Sequence, residues 1–421
     1  MQTLQRETFL NLLAPGMEVF SAGCTAESAL LLGWLKQAPE RARGVRFTGV
    51  WIPGVNRFDL SALDPTTRMR GIFLSADFKP AFARDQFELL TLPYSALYAW
   101  LKRQRFDLVM LSTAARDAQG NFPLSLAADF STAALINART VVVHANPELP
   151  ATNGPFVPQE RVDFVLEEPS AVLEFDAGAA NAEMHACAAH ISAWIEDGAT
   201  LQFGLGKMQQ AICEALLQRR NLRIHSGMVS APLLGLLDAG ALASPDRFKP
   251  PIVTGVALGN RALYARLRDP ALVRFAQVGY THAIGTFKAI PRFVSINSVI
   301  EVDLFGQANG EILNGAQISG AGGMVDFVRG AQQSEQGAAI LALPSTASDG
   351  RVSRIVARLS GPISVSRADV DIVATEHGAL RIRDLGLDAR AEALIGLAAP
   401  QFRDELTRAW AQLRADLKGH P

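Results

Sequence analysis

The chain is poor in the features that would mark it as anything but a soluble α/β protein. It has three cysteines in 421 residues, Cys24, Cys187 and Cys213, far apart and with no CxxC pair. That excludes a disulfide framework, argues against a zinc site, and suggests buried thiols in a reducing compartment. No apolar run reaches the length of about eighteen residues that a membrane helix needs. The opening MQTLQRETFLNLLAPG carries Arg6 and Glu7 close together and is not a signal peptide. Charge of one sign is also missing: 40 basic residues stand against 41 acidic ones, a net charge of −1, so no field favours nucleic acid or an anionic membrane. GxSxG, GxGxxG and GxxxxGK[ST] are absent, which weakens the serine-hydrolase, Rossmann and P-loop readings. What remains is a chain with 49% hydrophobic residues, expected to be an ordered cytoplasmic enzyme.

Short apolar runs alternate with helical patterns. Asp107–Ser112, Thr140–His144, Pro251–Val256, Ala339–Leu343 and Asp371–Thr375 read as buried strands, rich in β-branched residues and bounded by turn formers. Met208, Ala211, Ile212, Ala215 and Leu216 repeat at helical spacing, as do Phe402, Leu406, Trp410, Leu413 and Leu417. The pattern predicts an α/β fold with mainly parallel sheets flanked by helices. The halves echo each other: VFSAGC (19–24) and LQFGLG (201–206) each lead a strand into a glycine turn. Each is followed, at a comparable distance, by an acidic glycine turn, Asp117–Asn121 and Asp303–Gln307. Two related domains, 1–185 and 186–421, are therefore expected, with a ligand cleft between them.

Four segments carry candidate chemistry. Gly320, Gly322 and Gly323, in a crowded glycine loop between two strands, leave backbone N–H groups open to a ligand oxygen. Gly204 and Gly206 of QFGLG precede a helix and suit an anion, or form an ordinary tight turn. His225 and Ser226 invite a nucleophile-and-base reading, but neighbours on a strand point to opposite faces and cannot form a dyad, so a hydrogen-bonded structural histidine is favoured. Glu376 and His377 close a strand, where function concentrates in α/β sheets, although a capping role serves equally. Glu301 and Asp303 could do acid–base work but are favoured as structural, satisfying backbone donors beside a turn.

Taken together, these segments resemble the acetyl-CoA hydrolase/transferase family, which includes 4-hydroxybutyrate and succinyl-CoA:acetate CoA-transferases. The matching phrases are ATLQFGLGKMQQAI, IHSGMVSAPLLGLLDAGAL, VTGVALGNRALYARL, SINSVIEVDLFGQANGE, GAQISGAGGMVDFVRGA, ILALPSTA, SRIVARLSGPISVSRADVDIVATEHGALRIRDLG and APQFRDEL, in family order across most of 199–407. DLVMLSTAARDAQGNFPLSLAADF is the best segment of the looser N-terminal half. The resemblance implies the class I CoA-transferase fold and coenzyme A, as an acyl-CoA substrate, with no metal. It further implies a free carboxylate as second substrate and a homodimer or higher homo-oligomer. It also implies ping-pong chemistry through a glutamyl–CoA thioester, with Gly323 donating to the oxyanion, QFGLG along CoA, and Glu376 beside the nucleophile.

The chain departs from that pattern at the centre. The family phrase at Ile224–Met228 normally reads I-H-T-E-M and its glutamate is the nucleophile; here Ser226 and Gly227 stand there. A family asparagine that polarises the thioester falls on His282. Three outcomes follow from the missing carboxylate. Water activated by His282, His225 or Glu376 attacks the thioester; a second substrate attacks it in one step; or the protein binds a CoA ester without transfer.

Overall fold

The computed structural model describes residues 1–418. The chain divides into two compact units. The first comprises 1–176, 224–231 and 244–283; the second comprises 177–223, 232–243 and the described residues from 284 to 418.

The first unit is built on an all-parallel sheet ordered Gln2–Thr3, Phe164–Leu166, Ala138–Ala145, Phe106–Thr113, Glu18–Ser21, Arg46–Thr48, Arg68–Gly71 and Phe87–Leu89. Its two longest strands carry runs such as DLVMLS and TVVVH that are buried on both faces, as a parallel sheet covered by helices requires. Helix Ala29–Gln37 covers one face with Leu31, Leu32 and Leu35, and its N-cap Ser28 accepts from the Leu31 N–H at 3.2 Å. Phe9, Phe47, Met69, Phe78 and Leu108 fill the core beneath. The same unit holds a parallel ladder of Arg223–Ser230, Ile252–Leu258 and Val273–Phe275. Residues 126–128 lie along it: Ala128 N–H donates to the Gly255 carbonyl and Ala257 N–H to that of Leu126.

The second unit orders Thr200–Phe203, Phe293–Ser298, Ala338–Ala342 and Ile372–Thr375 as parallel strands, with Gly378–Arg381 antiparallel at the edge. Helices Lys207–Ala215 and Arg403–Leu417 stand where the apolar spacing predicts them, and a further helix, Met324–Gln333, follows the glycine loop. Leu406, Trp410 and Leu413 of the last are buried, while Leu417 is half exposed.

The two acidic turns have one geometry. Asp117 N–H donates to the Asn121 carbonyl, Gly120 N–H to the Asp117 carbonyl, and the Asp117 carboxylate accepts from Gln119 and Asn121 N–H. In the other unit Asp303, Gly306, Phe305 and Gln307 repeat each bond, and Gly120 and Gly306 have φ of 88° and 84°. Only glycine takes that backbone cheaply. Asp303 thus serves its turn. Glu301 is likewise occupied, accepting from Asn309 Nδ2 and from the Ser360 N–H and hydroxyl. All three cysteines are free and buried. Among the described residues no helix is long and apolar enough to cross a membrane.

Candidate active site

In the first unit a polar cluster gathers on one face of the strand Arg223–Ser230. Residues two apart on a strand share a face, so His225 and position 227 project the same way. His225 Nε2 lies 2.9 Å from the Thr281 carbonyl, which only accepts, so this nitrogen carries the proton. Thr281 Oγ1 bonds His282 Nδ1 at 2.8 Å, and the His282 ring lies 5.1 Å from that of Tyr94. Thr281 therefore ties the two predicted histidines together. Burial pushes His225 down to about 4, helped by Arg274, and His282 down to about 3, helped by His225. Both imidazoles are neutral at ordinary pH and take up a proton poorly.

The groups shifted the other way are carboxylates that sequence reasoning passed over. Asp129 is 8% exposed, and burial pushes it up to about 6 against the hydrogen bond from the Phe130 N–H at 2.8 Å. Burial pushes Glu27 up to about 7, with an opposing bond to Asn56. Between them sits Cys24, whose Sγ is 4.0 Å from Asp129 Oδ2. Its thiol is held neutral by burial and by the neighbouring charges of Asp129 and Glu27. Cys24 takes a left-handed backbone, φ 52°, which a side chain adopts only under constraint. Asn56 supplies that constraint: its Oδ1 accepts from the Cys24 N–H at 2.8 Å and the Ile52 N–H at 3.0 Å, and its Nδ2 donates to the Cys24 carbonyl at 3.1 Å. Tyr94 stacks edge-on with Phe130 at 4.8 Å, closing the cluster. The sequence signal for Asp129 was a lone acid inside an apolar run, FPLSLAADF.

The remaining predicted residues lie in the second unit. Gly204 gives its N–H to the Ile296 carbonyl at 2.9 Å, which leaves Gly206, φ 129°, as the candidate donor of that loop. Beside it, Gln202 and Asn297 form a buried reciprocal amide pair with bonds of 3.2 and 3.0 Å. Gly320 and Gly322 lie just before helix Met324–Gln333, with φ of 57° at Gly322, and Gly323 is its N-cap. The first N–H groups of a helix lack intrahelical acceptors and suit an oxyanion. Glu376 accepts from the Ser345 N–H at 2.8 Å and from the Ser345 hydroxyl, and lies 3.6 Å from His377 Nε2.

Residues 259–410 match the family model described as the acetyl-CoA hydrolase/transferase C-terminal domain. Over 310 residues, 72% of each chain, this one is 34% identical to the 4-hydroxybutyrate coenzyme A transferase of Clostridium kluyveri. The chain belongs to the acetyl-CoA hydrolase/transferase family. Another member, the succinyl-CoA:cyclohexane-1-carboxylate CoA transferase of Geobacter metallireducens, is 35% identical over 70% of this chain and 68% of its own. The crystal structure of RipA from Yersinia pestis superposes with a TM-score of 0.91 at 27% identity, covering 98% of each chain. The parallel sheets flanked by helices are those of this family's enzymes.

One prediction tests the packing here. A Cβ on Gly255 would fall 2.9 Å from the Gly227 carbonyl oxygen, closer than real contacts allow, and 3.4 Å from Asp129 Cβ. Gly255→Ala is expected to cost about 1–3 kcal/mol, as overpacking does. Chemical denaturation measures it, and a neutral result would mean the ladder yields locally.

Proposed function

We propose that the protein acts on an acyl-CoA, moving CoA to a free carboxylate or hydrolysing the thioester, without a glutamyl–CoA intermediate at position 227. The observation that carries this is Gly227 itself: it lies in strand Arg223–Ser230, amid phrases that resemble the family's, and has no side chain that could attack. The names of the relatives support acyl-CoA and carboxylate as the substrate classes. In this reading Gly323 donates to the thioester oxyanion, with Gly320 and Gly322 shaping the loop. Gly204 and Gly206 flank CoA, and His225, His282 and Glu376 are each candidates for a role in the reaction. The protein works as a cytoplasmic homo-oligomer, which cell fractionation and native mass spectrometry check.

Thiol release from a panel of acyl-CoAs, with and without added carboxylates, tests the activity. Release that needs a carboxylate identifies transfer, and release without one identifies hydrolysis. Tight binding with no release from any ester would contradict an enzyme and leave a CoA-ester-binding protein.

A further inference from the structure

Position 227 does not leave its face of the ladder without a carboxylate. Gly227 falls between the pairs Ser226↔Thr254 and Met228↔Val256, and therefore opposite Gly255. Residues in register on parallel strands project to the same side, so two adjacent positions on this face carry no side chain. Asp129 Cβ lies 3.4 Å from the point a Gly255 Cβ would occupy, and the Gly227 carbonyl oxygen lies 2.9 Å from that point. The backbone fixes Asp129 there: Ala128 N–H bonds the Gly255 carbonyl at 2.9 Å, and Val278 N–H bonds the Asp129 carbonyl at 3.0 Å. One carboxylate oxygen, Oδ1, accepts from Phe130 N–H. The other, Oδ2, faces the cluster near Cys24 Sγ.

Resting on the reading of the protein as an acyl-CoA enzyme, we propose that Asp129 is the general base that activates water against the thioester, beside the position where Gly227 carries no side chain, and that the reaction is hydrolysis. The step balances. The water oxygen bonds the thioester carbon as Asp129 takes a proton from it. The C–S bond then breaks, CoA leaves as a thiolate, and Asp129 returns the proton to the sulfur, giving a carboxylic acid and free CoA thiol. The neighbouring groups favour Asp129 over the predicted histidines. Those stay neutral with their proton affinity lowered to about 4 and 3, whereas burial brings Asp129 up to about 6, near working pH. The titratable groups around it are Cys24 and Glu27 beyond strand Glu18–Ser21, Tyr94 on helix Tyr94–Leu101, and His225 and His282. Near pH 6 the thiol and phenol are neutral, held so by burial, and both imidazoles are neutral too. Glu27, with its midpoint near 7, is the one neighbour that titrates close by.

The test uses the full chain and acetyl-CoA with no added carboxylate. Wild-type kcat is expected to fall tenfold per pH unit below about 6, as the base is protonated. Asp129→Asn is expected to lower kcat about 10²–10⁴-fold, with little change in KM, and to abolish that acid limb. Hydrolysis in ¹⁸O-water should place one ¹⁸O in the released acid, a readout that needs no variant. An Asp129→Asn enzyme within about fivefold of wild type, or one keeping the acid limb, overturns the proposal. Wild-type turnover that strictly requires a carboxylate overturns the base assignment and leaves the acyl-CoA reading standing. A protein that binds acyl-CoA esters and cleaves none overturns both.

Discussion

Asn56→Ala is expected to cost about 2–6 kcal/mol of folding stability, a large part of the roughly 5–15 kcal/mol that holds a native protein together. The side chain is fully buried and serves three backbone groups at once, the Cys24 N–H, the Cys24 carbonyl and the Ile52 N–H. The Cys24 and Ile52 N–H groups would be left without a partner in a place water reaches poorly, at a cost of about 1–3 kcal/mol apiece, while the Cys24 carbonyl keeps the Glu27 N–H at 3.4 Å. Cys24 would also lose what holds it in the left-handed region, so the thiol would swing from Asp129. Asn56→Asp keeps the two accepting contacts but loses the amide donors to the Cys24 carbonyl and to Glu27 and buries a second carboxylate beside Glu27, so it too should be less stable than wild type. Urea unfolding of the three proteins measures the order. Equal midpoints for alanine and wild type would mean that Asn56 does not set the Cys24 turn.

Asp129→Asn is expected to stabilise the protein above pH 6. A carboxyl whose folded-state value is raised from 3.8 to about 6 favours the folded state at low pH, and that contribution is lost as pH rises through 6. The full span is about 3 kcal/mol, at about 1.4 kcal/mol per pH unit. Asparagine keeps an oxygen for the Phe130 N–H and carries no charge, so its advantage should be present at pH 8 and shrink below pH 6. Glu27 acts in the same direction, lost as pH rises through about 7. His225 and His282 act oppositely: their contribution is present above 6.5 and lost as pH falls through about 4 and 3. In wild type these opposed terms offset one another between pH 4 and 6.5, so the variant exposes a slope that wild type hides. Unfolding midpoints from pH 4 to 8 check it; an Asp129→Asn variant less stable than wild type at pH 8 would refute a charged, desolvated Asp129. A buried carboxylate that costs stability at working pH is a mark of use in chemistry.

Much of the fold was legible because burial in a parallel sheet writes itself as runs of β-branched residues. DLVMLS and TVVVH read as strands within two residues of Phe106–Thr113 and Ala138–Ala145. The acidic turns were legible too, since aspartate and glycine at fixed spacing have few other uses. The short strands Arg46–Thr48 and Arg68–Gly71 were not: RFT and RMRG are three or four residues long, each interrupted by arginine, and carry no apolar run to notice. The site was read only in part. His225 and His282 stood out as histidines, and Gly227 as a departure from a family phrase. Glu27 and Cys24 gave no local sign and Asp129 only that of a lone acid in an apolar run, because their importance comes from distant contacts such as Cys24 with Asp129, more than a hundred positions apart. The grouping of 224–231 and 244–283 with the first 176 residues is set by distant contacts of the same kind.

The central claim is that acyl-CoA is turned over here without a glutamyl–CoA thioester. Borohydride added during turnover of acetyl-CoA, followed by peptide mass spectrometry, tests it most directly. The account predicts continued release of CoA thiol with every glutamate unmodified. Reduction or CoA labelling of any glutamate, formed only when acyl-CoA is present, would contradict it.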